Sequence, residues 1–245
     1  MKTQVWAHRG ASAYAPENTL EAFKLAAGQG ADGVELDVQL TKDGEMVVAH
    51  DEEIDRVSDG SGFVKDYTLA ELKILNFNKT HPEYQDVKIP TLREVYEALK
   101  PTGMTINVEL KTGIFWYKDL EKKVLELTKE MEMEDRVIYS SFNHMSLVRI
   151  KELAPDAFCG ALQGRNLGNA GYYCRQFGFQ AYHPGVKDLT EETVKSCRDN
   201  GIQVNVWTVN DMGDLEKMEQ WGCDGVITNY PSVCKSWADR RRQNV

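Results

Sequence analysis

Two acidic residues in the segment DGVELDVQL, residues 32–40, are spaced in a way that suits metal binding. The alternation of aliphatic and acidic residues predicts a β-strand. Because successive side chains of a strand point to opposite faces, Glu35 and Asp37 share one face and the aliphatic side chains occupy the other. A second strand-like segment, NVELK, adds Glu109. These acids either form a solvated strand face or converge on a cation.

The choice depends on whether the acidic face meets water. If the strand belongs to a barrel wall that helices cover on the outside, its polar face must point inward. Two carboxylates about 4 Å apart then repel each other by about 4 kcal/mol at an effective dielectric of about 20, before desolvation. A third carboxylate adds to this repulsion, which a cation would offset, and oxygen ligands suit Mg²⁺ or Ca²⁺ better than zinc. We therefore favour a metal site made of Glu35, Asp37 and Glu109.

Two histidines are candidates for proton transfer. His8 ends the strand-like segment QVWAH, and His50 ends MVVAH. Each of them alone would more often be a hydrogen-bonded core residue. Beside a cluster of acids, however, two imidazoles with an ordinary pKa of about 6.5 can exchange protons near neutral pH. We interpret His81 and His144 as structural, and we favour the same interpretation for His183 at its strand end.

Cationic and aromatic residues accompany these groups. Arg9 and Lys111 directly follow predicted strand ends and could clamp an anion, the arginine through its planar fork and the lysine as a point charge. Both could instead be ordinary surface charges. Trp207 at another strand end could be core or the wall of a pocket. The aromatic run at residues 115–117 could line an alcohol or lipid-headgroup pocket, or could serve packing alone.

The elements that must position these residues alternate regularly. Apolar patterns predict strands and helices in turn, and a short run at 46–50 is added to the second unit. An Asn18–Glu21 pair after Pro16 predicts a capping box for the first helix. Eight β/α units favour a parallel sheet closed into a TIM barrel, with chemistry at the C-terminal strand ends. The predicted strands are 4–8, 33–40, 104–110, 136–142, 157–162, 179–183, 202–209 and 224–229, and the predicted helices are 19–29, 91–99, 118–131, 144–153, 168–176, 190–199, 212–221 and 231–241.

A short internal repeat accompanies this alternation. Residues 30–34 and 222–226 share the pattern Gly-x-Asp-Gly-Val ahead of a strand. The first glycine falls where a helix C-terminus turns, which favours a positive φ. The repeat supports a fold of similar units and carries no functional information.

Composition sets the outer bounds. The chain has 245 residues and a formal net charge of −9, which argues against nucleic acid or an anionic membrane as a partner. We expect one domain over residues 1–245, since no linker or low-complexity segment interrupts it. No secretory signal is visible in residues 1–8, and no apolar run is long enough to span a membrane. The five cysteines are widely spaced, so we expect no disulfides, no thiolate zinc site and a cytoplasmic location.

Segments spread along the whole chain resemble motifs of the glycerophosphodiester phosphodiesterase family. They are HRGASAYAPENTLEAF, GADGVELDVQLTKDGEMVVAHD, NVELK, NVWTVN and GVITNYP. The resemblance implies a TIM barrel with a small insertion after the second strand, which residues 51–90 would supply. It also implies that His8 and His50 are a general acid/base pair and that Glu35, Asp37 and Glu109 are divalent-metal ligands. By the same resemblance, Arg9 and Lys111 would contact the phosphate, and Trp207 would line the substrate pocket.

The activity implied by the resemblance is metal-dependent hydrolysis of glycerophosphodiesters to glycerol 3-phosphate and an alcohol. The cofactor would be Mg²⁺ or Ca²⁺, and the partner a small phosphodiester. The attacking oxygen could be water or the neighbouring glycerol hydroxyl, which would give a cyclic phosphate. The sequence leaves this choice open, together with the acid and base roles of the two histidines, the preferred alcohol and the oligomeric state.

Three other functions compete with this one. A lysophospholipase D or sphingomyelinase D type enzyme shares the barrel and the acid–histidine arrangement, but it would need an apolar surface for lipid tails. A non-catalytic barrel that only binds phosphodiesters would not need two proton-transferring histidines. A metal amidohydrolase is disfavoured because no His-x-His pair ends the first strand.

Overall fold

The computed structural model describes residues 3–243 and contains nine strands and nine α-helices within them. The strands are β1 Gln4–His8, β2 Gly33–Leu40, β3 Met46–Val48, β4 Thr105–Leu110, β5 Val137–Ser141, β6 Phe158–Gln163, β7 Ala181–Pro184, β8 Gln203–Val206 and β9 Gly225–Thr228. The helices are α1 Leu20–Gly28, α2 Leu69–Ile74, α3 Leu92–Leu99, α4 Leu120–Glu130, α5 His144–Leu153, α6 Ala170–Gln176, α7 Glu191–Asp199, α8 Met212–Trp221 and α9 Pro231–Gln243. The predicted elements are confirmed to within a few residues at their ends.

The sheet closes on itself. Strands β1, β2 and β4 to β9 pair in parallel around the ring, and β1 pairs with both β2 and β9. The short strand β3 pairs with β2 in the antiparallel direction and stands outside the ring. This is the predicted TIM barrel, with the 46–50 run as an addition to its second unit.

Strand β2 shows why the barrel places the acids inside. All of its residues are buried. The aliphatic half, including Val34 and Leu36, packs in the main core together with Phe23 of α1 and Val95 of α3. The acidic half therefore points into the barrel, as a wall strand requires. The alternative of a solvated strand face is wrong.

The segment after β3 forms a small layer over the barrel mouth. It has an apolar cluster of its own, whose buried members are Val47, Ala49, Ile54, Val64, Leu72, Phe77, Val87 and Ile89. Phe63 packs edge-to-face on Phe115 at 5.4 Å, and Tyr117 Oη donates to Gln39 Oε1 at 2.9 Å. Phe115 thus holds the insertion to the barrel and Tyr117 bonds strand β2, which favours packing over a pocket role for both rings.

The internal repeat has a structural purpose. The first glycine of each copy has a positive φ, 74° in one and 76° in the other, as predicted. The shared aspartate lies at the bottom of the barrel, where Asp32 Oδ2 accepts from the backbone N–H of Val5 at 2.9 Å. Asp224 Oδ2 makes the same bond with Val204 at 2.8 Å. Each copy therefore ties the start of its own strand to a neighbouring strand.

The predicted capping box at α1 is wrong. The helix begins at Leu20, and its N-cap is Thr19, whose Oγ1 accepts from the N–H of Ala22 at 3.3 Å. Asn18 lies outside the helix with a φ of 58°, a left-handed conformation that asparagine tolerates. Its side chain turns towards the barrel interior, where it binds a buried carboxylate more favourably than it could cap a helix.

The cysteines behave as core residues. All five are buried free thiols, so the expectation of no disulfide is confirmed. Burial raises the pKa of Cys159 to about 12, which leaves that thiol protonated and unreactive. Among the described helices, none is both long and apolar enough to cross a lipid bilayer.

Candidate active site

The three predicted acids meet inside the C-terminal mouth of the barrel. Asp37 of β2 lies opposite Glu109 of β4 in the strand register, and Glu35 precedes Asp37 on the same face. Each offers a carboxylate oxygen, and these oxygens all lie within 4.8 Å of one another. Their exposures are 5%, 0% and 7% for Glu35, Asp37 and Glu109. The structure thus brings together acids from two strands that are about 70 residues apart in the chain.

The pKa values of the three crowded acids shift in different directions. Burial and then the neighbouring Asp37 raise the pKa of Glu109 to about 7. The same two causes hold the pKa of Glu35 well above its ordinary value. Burial also disfavours charge on Asp37, but Arg9, His50 and Lys111 outweigh it and lower the pKa of that carboxyl. The positive charges of the protein therefore stabilise the ionised form of Asp37 but do not offset the cost of ionising Glu35 and Glu109.

The oxygens of Asp37 indicate what the cluster fits. Oδ2 accepts a hydrogen bond from Asn18 Nδ2 at 2.9 Å. Oδ1 is buried and has no hydrogen-bond partner among residues 3–243. A buried carboxylate oxygen without a hydrogen bond, together with two further carboxylates, forms a set of hard ligands that suits a divalent cation such as Mg²⁺ or Ca²⁺. The residues present therefore fit the cation that the sequence predicts.

The Asn18 contact gives a first testable prediction. Replacing Asn18 by leucine removes the neutral donor that orients Asp37. We expect the concentration of Mg²⁺ or Ca²⁺ at half-maximal activity to rise about 10–100-fold, the range seen when a group that orients a metal ligand is lost. An activity titration with each cation measures this. Asn200→Leu, which loses only a bond from Asn200 Nδ2 to Ser196 O at a helix end, is the control, and an unchanged cation requirement in a folded Asn18→Leu protein would contradict the prediction.

His8 lies at the end of β1, next to the acids. Its Nδ1 is 2.6 Å from Asn229 Oδ1, and its Nε2 is 4.0 Å from Glu35 Oε2. An amide oxygen can only accept, so the contact assigns a proton to Nδ1 and leaves Nε2 with a lone pair. Burial, and then the charge of Arg9, lowers the pKa of His8 to about 4. The ring is therefore neutral near pH 7.

His50 follows β3, and its ring contacts a carboxylate, whereas the ring of His8 contacts a neutral amide. Its Nδ1 is 2.6 Å from Asp51 Oδ1. Asp51 is partly buried, but hydrogen bonds from Arg56 and His50 overcome that cost and bring its pKa to about 2. Gln39 Nε2 fixes the backbone on both sides of the histidine, through bonds to Ala49 O at 2.9 Å and Asp51 O at 2.8 Å. An ionised carboxylate thus faces this imidazole.

The two predicted anion clamps also contact the acids. Arg9 Nε lies 3.7 Å from Asp37 Oδ2, and Arg9 Nη1 donates to Glu17 at 2.8 Å. Lys111 Nζ lies 3.2 Å from Glu109 Oε1 and 3.8 Å from Asp37 Oδ1. Their side chains are mostly buried at the mouth, so the alternative of ordinary surface charges is wrong.

Trp207 follows β8 on the side of the mouth away from β2. Its Nε1 donates to the carbonyl of His183 at 2.8 Å, and its ring meets Phe142 edge-to-face at 5.5 Å. Phe142 follows β5, so this aromatic pair joins two strands that are not neighbours. His183 itself is fully buried inside the barrel, where burial lowers its pKa to about 3. It lies apart from the acid cluster and contacts Asn205, as the structural interpretation predicts.

His144, at the start of α5, was also interpreted as structural. His144 bonds Tyr173 Oη and the carbonyl of Leu162, which agrees with a structural role. The sequence analysis did not identify several residues around the site. One of them, Asp51, directly follows His50, and that position was a signal that could have found it. The missed residues are Glu17, Asn18, Asp51, Arg56, Phe142 and Asn229.

The fold and the site define a TIM-barrel enzyme that cleaves phosphodiesters. The chain belongs to the glycerophosphoryl diester phosphodiesterase family, whose model matches residues 8–233. The resemblance seen in the sequence is thereby confirmed.

Relatives and solved structures agree with this assignment. A glycerophosphodiester phosphodiesterase of Caldanaerobacter subterraneus subsp. tengcongensis is 44% identical over 95% of this chain and 96% of its own. The structure of an Oleispira antarctica phosphodiesterase in complex with the product sn-glycerol-3-phosphate is 34% identical, with 97% of each chain covered and a TM-score of 0.89. A glycerophosphodiester phosphodiesterase from Thermotoga maritima is 31% identical, with 97% of this chain and 99% of that chain covered and a TM-score of 0.80.

Proposed function

We propose that this enzyme hydrolyses glycerophosphodiesters to glycerol 3-phosphate and an alcohol, with a divalent cation held by Glu35, Asp37 and Glu109. The observation that supports this most strongly is the buried carboxylate cluster, flanked by two imidazoles with different hydrogen-bond partners. The Oleispira antarctica phosphodiesterase, which carries sn-glycerol-3-phosphate, supports the same product for this chain.

The positive groups of the site suit a phosphodiester. When bound, a divalent cation supplies positive charge to the non-bridging oxygens, where negative charge grows during attack at phosphorus. Arg9 and Lys111 border the acid cluster and would contribute two fixed positive charges to the same oxygens. Because both lie mostly out of water, their attraction for a phosphate oxygen is stronger than that of exposed cations.

The histidines take complementary roles. The neutral His8 has its Nε2 lone pair on the side of Glu35, so it accepts the proton of the attacking oxygen. The attacking oxygen is either water or the neighbouring glycerol hydroxyl. His50 is held by its bond to the ionised Asp51 carboxylate, and it donates a proton to the departing alkoxide. Proton transfer of this kind contributes about 10²–10⁴-fold to a rate.

Trp207 would form one wall of the alcohol pocket. Its ring is held in place by the bond to the His183 carbonyl and by the edge-to-face contact with Phe142. Phe142 is 45% exposed at the mouth, so the pair presents apolar surface to an incoming substrate. A ring fixed in this way can orient a small alcohol without any change of shape on binding.

The test is product analysis on a panel of diesters. Glycerophosphocholine, glycerophosphoethanolamine, lysophosphatidylcholine and sphingomyelin are incubated with the enzyme, with and without added Mg²⁺ or Ca²⁺. We expect glycerol 3-phosphate and free alcohol from the first two, only with the cation present. Preferential cleavage of the long-chain lipids would favour the lysophospholipase D or sphingomyelinase D alternative. Binding without any product would favour a non-catalytic barrel.

A further inference from the structure

An arginine of the insertion lies between two acidic residues that each contact the site. Arg56 Nη1 and Nη2 donate to both oxygens of Glu17, each at 2.7 Å. Arg56 Nε donates to Asp51 Oδ2 at 2.6 Å. The guanidinium thus uses three of its donors on two carboxylates from different parts of the chain, a geometry that its planar fork suits.

Each of these carboxylates binds a second partner inside the site. Glu17 Oε1 also accepts from Arg9 Nη1 at 2.8 Å. Asp51 Oδ1 also contacts His50 Nδ1 at 2.6 Å. A continuous chain of charged contacts therefore runs from Arg9 through Glu17, Arg56 and Asp51 to His50. It connects the end of β1 to the residue that follows β3.

The contribution of Arg56 to this chain is orientation. The terminal torsion of an aspartate side chain is broad, so one hydrogen bond to His50 does not fix the Asp51 carboxylate. The bond from Arg56 to Oδ2 leaves Oδ1 directed at the imidazole. The backbone of His50 is held separately by Gln39, so loss of Arg56 would free the ring without releasing the segment.

Stability alone does not account for this arrangement. Arg56 is 44% exposed, and ion pairs of such exposure contribute little to folding. Arg93 has the same exposure and pairs with Glu130 at 2.7 Å on the barrel surface, far from any proposed catalytic group. The two arginines therefore differ in what their carboxylate partners touch.

We propose that Arg56 is a positioning residue for proton donation, which acts through Asp51 to hold the His50 imidazole towards the leaving alcohol. This inference rests on the proposed function, since it needs His50 as the proton donor. It assigns a role in the reaction to the insertion, which would otherwise only cover the barrel mouth. Lysine at this position would keep the charge and lose the fork, so it would not replace arginine fully.

The experiment compares two glycerophosphodiesters that differ in their leaving group. Glycerophosphoethanolamine releases an alkoxide that needs a proton, whereas the p-nitrophenyl diester of glycerol 3-phosphate releases a phenolate that leaves without one. For Arg56→Gln we expect kcat on glycerophosphoethanolamine to fall about 10–100-fold, part of what a general acid contributes. We expect its KM to stay within about twofold and the p-nitrophenyl rate to fall much less, because neither depends on proton donation. Arg56→Lys should fall in between, and Arg93→Gln should match the unmodified enzyme on both substrates.

A double variant tests the route through Asp51. If Arg56 acts through Asp51, then Asp51→Asn with Arg56→Gln should be no slower than Asp51→Asn alone. Additive losses, equal losses on the two substrates, or an unchanged kcat in Arg56→Gln would each overturn the inference. Failure of the proposed function would look different, because the unmodified enzyme would cleave neither diester or His50→Gln would remain fully active. Circular dichroism and Tm of every variant exclude loss of folding.

Discussion

Replacing His50 by glutamine is expected to lower kcat on glycerophosphodiesters by about 10²–10⁴-fold, the usual contribution of a general acid. Glutamine keeps a polar side chain but cannot deliver a proton, and the contact between Nδ1 and Asp51 is lost. His8→Gln is expected to lose activity to a similar extent, because it removes the neutral ring that is proposed to accept the proton of the nucleophile. Initial rates of glycerol 3-phosphate release measure both variants.

A histidine outside the proposed machinery provides the control. His81 lies in the insertion, where its side chain contacts Thr80 Oγ1 and the ring of Tyr84. His81→Gln should therefore keep the full rate. The acid/base assignment fails if His8→Gln or His50→Gln, shown to be folded, turns over at close to the unmodified rate.

Removal of divalent cations is the second change with a large expected effect. We expect chelation with EDTA to abolish turnover and added Mg²⁺ or Ca²⁺ to restore it, because the three clustered carboxylates would supply the ligands of the proposed cation. Glu109→Gln should weaken the response to the cation, since it removes one of the three charges. Full activity in excess EDTA, in protein whose metal content has been measured, would rule out a metal-dependent reaction.

The metal-free protein should also respond to pH in a defined way. The pKa of Glu109 is about 7 in the folded chain, against an ordinary value of 4.5. A carboxyl whose pKa is raised by folding is more easily protonated in the native state, so its charged form destabilises the fold. The Tm in EDTA should therefore fall as pH rises from about 4.5 to about 7, the interval between the two pKa values. Added cation should oppose this fall, and Glu109→Gln should reduce it, whereas an identical profile in that variant would contradict the electrostatic argument.

Some features of this molecule were readable from local sequence because local rules determine them. The period-two pattern of residues 33–40 fixed one acidic and one aliphatic face, and burial of the whole strand then directed Glu35 and Asp37 inward. Strands that alternate with helices specified the closed parallel sheet, and strand ends located His8, Glu109 and Lys111 at one edge.

Other features depend on contacts that no local rule determines. Glu17 and Arg56 are far apart in sequence and meet only because the insertion folds back over β1. Asn18 has the right side chain for a helix cap, yet the buried Asp37 competes successfully for it. Helix α2 was missed because it has only six residues, although Thr68 and Glu71 form a capping box that the sequence displays.

Strand β3 is the one antiparallel strand of the described chain, and it delivers His50 from outside the barrel ring. The proposed proton donor, His50, and Arg56 therefore lie in or beside the same inserted segment, which has its own apolar cluster. The proposed proton acceptor and cation ligands belong to the wall strands or their ends. An exchange of residues 46–90 between family members would transfer His50, one member of the proposed proton-transfer pair, together with Arg56. In such chimeras, the turnover rate should depend on whether the transferred Arg56 still binds the Glu17 carboxylate of the recipient chain.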